Sequence, residues 1–420
     1  MIVQSIAGLV IFSLIAWAVS ENRRQVRLKP VIIGTGIQVA LAAILLNISL
    51  FRTVFLFLNR LVLSLEEATT AGTSFVFGYL GGGRLPFVET YPGSSFILAF
   101  KGLPIVLLMS ALSALLFYWK ILPIVVQAFS WVLQKTMGTG GAEGLGVSVN
   151  VFVGMVNVFV GMVESPLLIR PYLKDMTRSE IFTIMTCGMA TIAGTVMVLY
   201  ATILSKSIPD VMGNILTASI ISVPAAITIS KIMVPETGKP TPGELTSPEE
   251  AMSSMDAITK GTVQGVKLLI NIIAMLIVLV ALVYLVNLIL GLLPNIGGEP
   301  INLQKILGCI MAPVVWLMGI PWKEALTAGS LMGTKTILNE LIAYIDMSNL
   351  PQGALSPKSL LIMTYAMCGF ANPGSLGIMI GGMGTMVPER RDEIISLGFR
   401  SIVAGTLATC MTGAVVGILL

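Results

Sequence analysis

The stretch LLINIIAMLIVLVALVYLVNLILGLL occupies residues 268–293 and contains no charged side chain. It is longer than the about 20 apolar residues that an α-helix needs to cross the hydrocarbon core of a bilayer. Residues 2–20 and 401–420 also lack charged side chains. Backbone polar groups in hydrocarbon must be satisfied within the segment itself. All three stretches are therefore predicted to be membrane-spanning helices.

The composition of the whole chain agrees with this interpretation. Its 420 residues are 55% hydrophobic and only 11% charged, whereas soluble domains carry about 25% charged residues. Histidine is absent, which excludes His-dependent triads, HExxH zinc sites and histidine proton relays. The four cysteines lie in apolar runs without metal-binding spacing and are predicted to be packing residues. A net charge of +4 is ordinary for membrane loops and predicts no nucleic-acid partner.

The first apolar stretch is predicted to be a retained helix and not a cleaved signal. No basic segment precedes it and no Ala-x-Ala site follows it. Instead it is followed by the basic residues Arg23, Arg24, Arg27 and Lys29. Because basic loops stay in the cytoplasm, we expect this cluster inside the cell and the N-terminus outside.

Four regions can be distinguished along the chain. Residues 1–120 hold further predicted spans near 30–50 and 95–119, and residues 51–68 mix charges with Phe and Leu as interfacial helices do. A polar connection at 235–261 leads into the span that ends near 293, which makes 235–300 a second region of this kind. Residues 121–234 and 301–420 carry a different pattern.

In these two regions the apolar runs are interrupted by polar residues, glycines and prolines. Residues 121–173, and later 303–345, are predicted to be re-entrant hairpins, because irregular backbone is tolerated only where it is buried in protein or lines a cavity. Each hairpin precedes a helix with a polar break, ATIAGT at 190–195 and NPGS at 372–375. Paired interrupted segments in two halves of a membrane protein indicate a midplane binding site.

Two carboxylates within the hairpins need an explanation, because a charge at membrane depth costs about 2.5 kcal/mol or more. One interpretation is structural and pairs Glu164 or Glu340 with a buried cation such as Lys335. The other is that both line a polar cavity and accept hydrogen bonds from a hydroxylated or amine-bearing solute. Asn339 and Asn372 fit the second interpretation, since buried amides also need partners.

Four motifs carry a resemblance to a known family. GMVESPLLIRPYL at 161–173, ATIAGT at 190–195, GTKTILNELIAY at 333–344 and CGFANPGS at 368–375 resemble, in the same order, motifs of the concentrative nucleoside transporters. The resemblance implies an all-α integral membrane protein with eight spanning helices, two re-entrant hairpins and broken helices in two inverted-type repeats. It also implies a homotrimer whose scaffold stays fixed while the transport part moves like an elevator.

The resemblance further implies a site for a nucleoside and one for sodium. The base would face the first hairpin and an aromatic ring, and the ribose would face the second hairpin and its broken helix. The implied substrate residues are Gly161, Met162, Val163, Glu164, Val196, Asn339, Glu340, Phe370, Asn372 and Ser375. The implied sodium residues are Asn157, Val160, Thr191 and Ile192.

The chain departs from the family pattern in its first hairpin. Met162 and Val163 stand where polar base contacts are common in the family, so the base preference is open. The segment VNVFVGM at 149–155 is repeated without change at 156–162. Counting back from Glu164 makes the sodium residue Asn157, whereas counting forward from Glu143 makes it Asn150. We favour Asn157, because the ion must lie near Thr191 and the hairpin tip.

These observations predict a sodium-coupled nucleoside importer of a bacterial inner membrane, in contact with lipid. The alternative is a proton-coupled symporter of the same fold in which Glu164 or Glu340 titrates. An ion channel would conduct without saturation or competition by nucleosides. No P-loop, catalytic triad or metal motif occurs in the sequence, so an enzyme is not expected.

Overall fold

The computed structural model describes residues 2–47, 49–89, 95–121, 124, 157–158, 161–162, 164–167, 173–205, 208–238, 251–294 and 300–420. All regular secondary structure within these ranges is helical. The first half of the chain contains α1 (Ile2–Ala18), α2 (Leu28–Asn47), α3 (Ser49–Phe77), α4 (Ile105–Tyr118), α5 (Glu164–Leu167), α6 (Arg178–Ala190), α7 (Gly194–Leu204) and α8 (Val211–Met233). The second half contains α9 (Ser254–Leu290), α10 (Leu303–Leu317), α11 (Trp322–Ile337), α12 (Glu340–Ser348), α13 (Pro357–Met367), α14 (Pro373–Met386) and α15 (Arg391–Leu419).

Within the described residues, 5 helical segments are long and apolar enough to cross a membrane. They are Leu28–Asn47, Leu98–Tyr118, Val211–Met233, Ser254–Leu290 and Pro388–Leu419. Helix α1 is apolar but shorter, with 17 residues. The several apolar helices make this a multi-pass membrane protein, while the total of eight spans stays a prediction.

The second predicted hairpin is present as two helices joined by a sharp bend. Helices α10 and α11 are bent by 117° at the turn between them and pack extensively against each other. Gly319 in this turn has a φ of 103°, a left-handed conformation that favours glycine, and Pro321 follows it just before α11. The arms of the first hairpin, at 121–156 and 168–172, lie outside the described residues apart from Ile121 and Ile124.

Both predicted helix breaks are also present. The first broken helix consists of α6 and α7, and the second consists of α13 and α14. Thr177 starts α6 with a capping box that includes Glu180, which satisfies two backbone N–H groups at the helix start. Asn372 caps α14 and is followed by Pro373 in its first turn, a combination that favours a new helix after a break.

Two predicted boundaries were wrong. Helix α9 begins at Ser254, inside the stretch expected to be a polar connection, because Ser253 accepts a hydrogen bond from Asp256 N and caps the helix. Helix α3 extends to Phe77, beyond the predicted end near residue 68. The polar residues in both places lie on helices, since a polar helix surface is tolerated wherever it faces solvent.

Burial separates an inner group of helices from a peripheral pair. In the apolar windows of α8 and the last span, 89% and 78% of the residues are buried, against 6% in α9. Helices α6, α8 and α15 pack on one another, and α1 and α2 pack against this group. Helix α9 packs mainly on α4. The two helix breaks therefore lie within the buried group, where irregular backbone is protected from lipid.

Candidate functional site

The two helix breaks contact each other in the buried interior. The backbone N–H of Phe370, in the break between α13 and α14, donates to the carbonyl of Thr191 at 3.3 Å. A Cβ atom at position 369 would lie 2.9 Å from the carbonyl oxygen of Met189. Gly369 is needed here because a larger residue would push the two breaks apart.

A serine from a third helix links the same two breaks. Ser219 Oγ, on α8, accepts a hydrogen bond from the backbone N–H of Ile192 at 3.2 Å and lies 3.7 Å from Cys368 Sγ. It thereby satisfies a backbone group that the break leaves free. Sequence reasoning missed Ser219, since a serine within an apolar helix resembles many others that only bond their own backbone.

Glu340 is the centre of the second half of the site. It is the first residue of α12, whose N-cap Asn339 accepts a hydrogen bond from Ile342 N at 2.9 Å. Only 4% of Glu340 is exposed. Tyr200, on α7, donates its hydroxyl to Oε1 at 2.6 Å, and Asn372 donates its amide to Oε2 at 3.0 Å. One carboxylate thus receives a donor from each of the two broken helices.

Two helix N-termini lie at the Glu340 side chain. The carboxylate lies at the N-terminus of α12, and Asn372, which contacts it, is the N-cap of α14. Helix N-termini carry partial positive charge and stabilise anions. Asn372 Oδ1 also accepts from Ser375 N at 2.8 Å, which places Ser375 beside Glu340's partner. The structure therefore brings together the predicted residues Asn339, Glu340, Asn372 and Ser375.

Lys335 adds a cation to this half. Its side chain is fully buried, and Nζ donates to Thr409 Oγ1 on α15 at 3.3 Å. In the described part of the chain Lys335 bonds Thr409 and makes no direct ion pair with Glu340, so the structural interpretation of Glu340 stays a prediction.

The first half of the site contains only neutral polar groups among its described side chains. Asn157 donates its amide to Thr191 Oγ1 and to the carbonyl of Cys187, the latter at 3.4 Å. Ser165, next to the hairpin tip, donates to Asn157 Oδ1 at 3.3 Å. Thr191 donates in turn to the carbonyl of Cys187 at 2.9 Å. Asn157, Ser165, Thr191 and Ile192 are all buried.

The structure describes only some of the remaining predicted site residues. Gly161 and Met162 are buried, with Met162 beside Gly188 of α6. Val196 is buried on α7, and Phe370 is half-buried in the second break. Asn150, Val160, Val163 and the side chain of Glu164 lie outside the described residues.

Sequence reasoning also missed Tyr200. It lies one turn after Val196 on α7, and residues four apart share a helix face. The predicted role of Val196, together with that spacing, is the signal that could have found Tyr200.

Two broken helices that contact each other beside a re-entrant hairpin are typical of secondary transporters. Family models match most of the chain: "Na+ dependent nucleoside transporter C-terminus" at residues 214–417, "Na+ dependent nucleoside transporter N-terminus" at 7–80, and "Nucleoside recognition" at 99–207. The chain belongs to the Na+ dependent nucleoside transporter family.

Its relatives include transporters from bacteria and animals. The nucleoside permease NupC of Helicobacter pylori is 34% identical over 99% of this chain and 97% of its own length. An uncharacterized transporter of Bacillus subtilis, YutK, is 36% identical over 98% of this chain and 97% of its own length. Human solute carrier family 28 member 3 is 35% identical over 99% of this chain and 59% of its own length.

Solved structures of one further protein, CNTnw, share the fold. In an inward-facing substrate-bound state it superposes with a TM-score of 0.88 at 31% identity, over 99% of this chain and 98% of that chain. A variant in an intermediate state gives 0.89 at 31% identity, over 100% of this chain and 99% of that chain.

Proposed function

We propose that this protein is a sodium-coupled symporter that imports nucleosides by an elevator-type alternating-access mechanism. The observation that carries the proposal is the position of Glu340, a buried carboxylate held by Tyr200 and Asn372 from the two broken helices. Such a group suits a neutral solute with hydroxyl donors. A carboxylate has about four lone-pair positions, so two hydrogen bonds from the protein leave positions for sugar hydroxyls.

In this proposal the ribose lies against Asn339, Glu340, Asn372 and Ser375. The base lies between the first hairpin and the second break, against Gly161, Met162, Val163, Glu164, Val196 and Phe370. Hydrogen bonds to a charged acceptor are stronger than neutral ones. The ribose therefore provides most of the directional binding energy, while Met162 and Phe370 provide apolar contact.

Sodium is proposed to bind at Asn157, Val160, Thr191 and Ile192. Asn157 and Thr191 have side-chain oxygens, whereas Val160 and Ile192 could offer only backbone carbonyls. Oxygen ligands suit a small hard cation such as sodium. Asn157 and Thr191 are already in contact, and Ser165 joins them. Rotating the Asn157 amide by half a turn would exchange its nitrogen and oxygen, and amide oxygens are assigned from such networks. An oxygen would then face Thr191.

The coupling of nucleoside transport to sodium follows if both bind to the same state of the transport part. If sodium and nucleoside both stabilise the same arrangement of hairpins and broken helices, each raises the affinity for the other. Residues 121–234 and 301–420 would form the moving transport part, while 1–120 and 235–300 would form the scaffold.

The surface of α9 supports a scaffold that contacts lipid and two further copies in a homotrimer. Apolar side chains such as Ile277 and Leu288 are 66% and 53% exposed on this helix. Large exposed apolar surfaces of membrane proteins face lipid or a partner subunit. The basic residues after α1 support insertion into a bacterial inner membrane with that loop in the cytoplasm.

The experiment that tests the proposal is uptake into proteoliposomes of purified protein. Uridine and adenosine are offered with inward sodium and proton gradients that are imposed separately. We expect saturable uptake of both nucleosides that requires the sodium gradient. Uptake that follows the proton gradient alone would favour the proton-coupled symporter, and flux without saturation would favour a channel.

A further inference from the structure

Tyr200 is a buried residue outside the set that faces the nucleoside in the proposal above. It lies on α7, is 3% exposed, and donates its hydroxyl to Glu340 Oε1 at 2.6 Å. This is a short bond to an ionisable acceptor, of the charge-assisted kind. The phenol therefore acts directly on the carboxylate that we propose as the ribose acceptor.

The ring of Tyr200 is fixed by a second tyrosine. The rings of Tyr200 and Tyr344 are 5.3 Å apart and tilted by 49°. Tyr344 lies four residues after Glu340 on α12, hence on the same face of that helix. Its own hydroxyl donates to the carbonyl of Thr364 on α13 at 2.9 Å. The contact between the two rings, which does not depend on the Tyr344 hydroxyl, leaves the phenol of Tyr200 little freedom to leave Glu340.

The acceptors of the two tyrosines distinguish their roles. A buried phenol needs an acceptor, and for Tyr344 a backbone carbonyl is sufficient. Tyr200 instead bonds a carboxylate whose other oxygen is bonded by Asn372. These two donors fix the plane of the Glu340 carboxylate, and the lone-pair positions that the protein does not use can accept from ribose hydroxyls.

We propose that Tyr200 is a positioning residue that orients Glu340 for the ribose hydroxyls and so determines the preference for ribonucleosides over deoxyribonucleosides. This inference rests on the proposed function. Without the phenol, Glu340 keeps its charge but can rotate about its side-chain bonds. The ribose hydroxyl that pairs with Oε1 is then no longer aligned with it, and ribonucleoside affinity falls. The affinity for a nucleoside that lacks this hydroxyl does not depend on this hydrogen bond.

The test compares two variants that each remove one phenol and keep the ring. Tyr200→Phe removes the donor to Glu340, and Tyr344→Phe removes a donor from the ring beside it. Uridine, 2′-deoxyuridine and 3′-deoxyuridine are titrated onto each purified full-length protein at one saturating sodium concentration. Thermal unfolding is recorded for every variant as a measure of folding.

We expect Tyr200→Phe to weaken uridine binding by about tenfold, within the range of a lost charge-assisted hydrogen bond. At least one deoxyuridine should lose less than about threefold, so that selectivity for the ribose hydroxyl falls. Tyr344→Phe should leave that selectivity unchanged.

An equal loss for all three nucleosides, or the same change of selectivity in Tyr344→Phe, would overturn the inference. If Glu340→Gln weakens uridine binding while Tyr200→Phe does not, the inference fails alone. If the wild-type protein binds neither uridine nor adenosine, the proposed function fails and the inference fails with it.

Discussion

The two broken helices have the same architecture but present different chemistry. The break between α6 and α7 is surrounded by the neutral groups of Asn157, Ser165 and Thr191. The break between α13 and α14 is bonded to the carboxylate of Glu340 through Asn372. The neutral oxygens of the first break can bind a cation such as sodium, whereas the carboxylate at the second break can accept hydrogen bonds from hydroxyl groups. One fold element, used twice, therefore presents two different sets of polar groups.

The difference begins with how each second half-helix starts. Helix α14 starts with an Asn cap followed by proline, and the cap side chain reaches Glu340. Helix α7 starts after Ala193, which has no side-chain acceptor, and the free N–H of Ile192 is satisfied by Ser219 from α8. The cap of the second break thus joins the proposed ribose site, while the first break depends on support from a neighbouring helix.

The largest effect is expected in the first half, at Asn157. Asn157→Ala removes the amide that contacts Thr191 and Ser165, so uptake of uridine should lose its dependence on sodium. The matched control is Asn150→Ala in the other copy of the repeated segment, which should keep that dependence. Initial uptake rates measured over a series of sodium concentrations provide the comparison. If the two variants behave the other way round, the sodium residue is seven positions earlier than we propose.

A substitution in the second half of the site should change the affinity for nucleoside and leave the sodium dependence of uptake unchanged. Glu340→Gln keeps the shape of the side chain but removes charge-assisted hydrogen bonds of about 1.5–3 kcal/mol, so nucleoside affinity should fall at least tenfold. Titration of uridine at fixed sodium measures it. Glu324→Gln on the same hairpin is the control, since Glu324 bonds the backbone N–H and hydroxyl of Ser356 at 3.1 and 3.0 Å. Unchanged affinity in Glu340→Gln would remove this residue from the site.

The sequence was sufficient for the parts of this comparison that depend on local chemistry. Interrupted apolar runs located both breaks and the second hairpin, and the cost of a buried charge drew attention to Glu340, whose role stays a prediction. Contacts between helices that are far apart in the sequence could not be predicted in the same way. Tyr200 and Ser219 are ordinary residues of apolar helices, and they gain a role only because packing brings them to Glu340 and Ile192. The start of α9 was missed because a capping serine within a polar stretch has the same composition as a loop.

The recognition of the base should discriminate less than that of the ribose. Met162 offers no conventional hydrogen bond, and an apolar pocket rejects near-isosteres only weakly. We expect uridine and adenosine to compete for uptake within about tenfold of each other. Competition by a panel of purine and pyrimidine nucleosides measures this ratio. A preference above about a hundredfold for one base class would contradict a base site in which discrimination rests mainly on Glu164 and on shape.

The smallest effect, a change in melting temperature, is expected at Glu21, which connects helices of the two transport regions away from both breaks. Glu21, between α1 and α2, accepts from Arg178 of α6 at 2.8 Å and from Arg400 of α15 at 2.6 Å. The hydrogen bond from Arg178 is the main reason that the pKa of Glu21 is lowered from 4.5. A lowered pKa means that the stabilisation is complete above 4.5 and is lost as the pH falls through the folded-state pKa.

Glu21→Gln should therefore lower the melting temperature at neutral pH by only about 1–2 °C, because partly exposed ion pairs are weak. The difference from wild type should shrink as the pH falls below 4.5 and as salt is added. Nucleoside affinity should not change, in contrast to Glu340→Gln, since Glu21 contacts neither break among the described residues. Thermal unfolding at several pH values, together with uridine titration, tests both statements. An equal loss of stability at acid and neutral pH would show that the side chain acts by packing and not by charge.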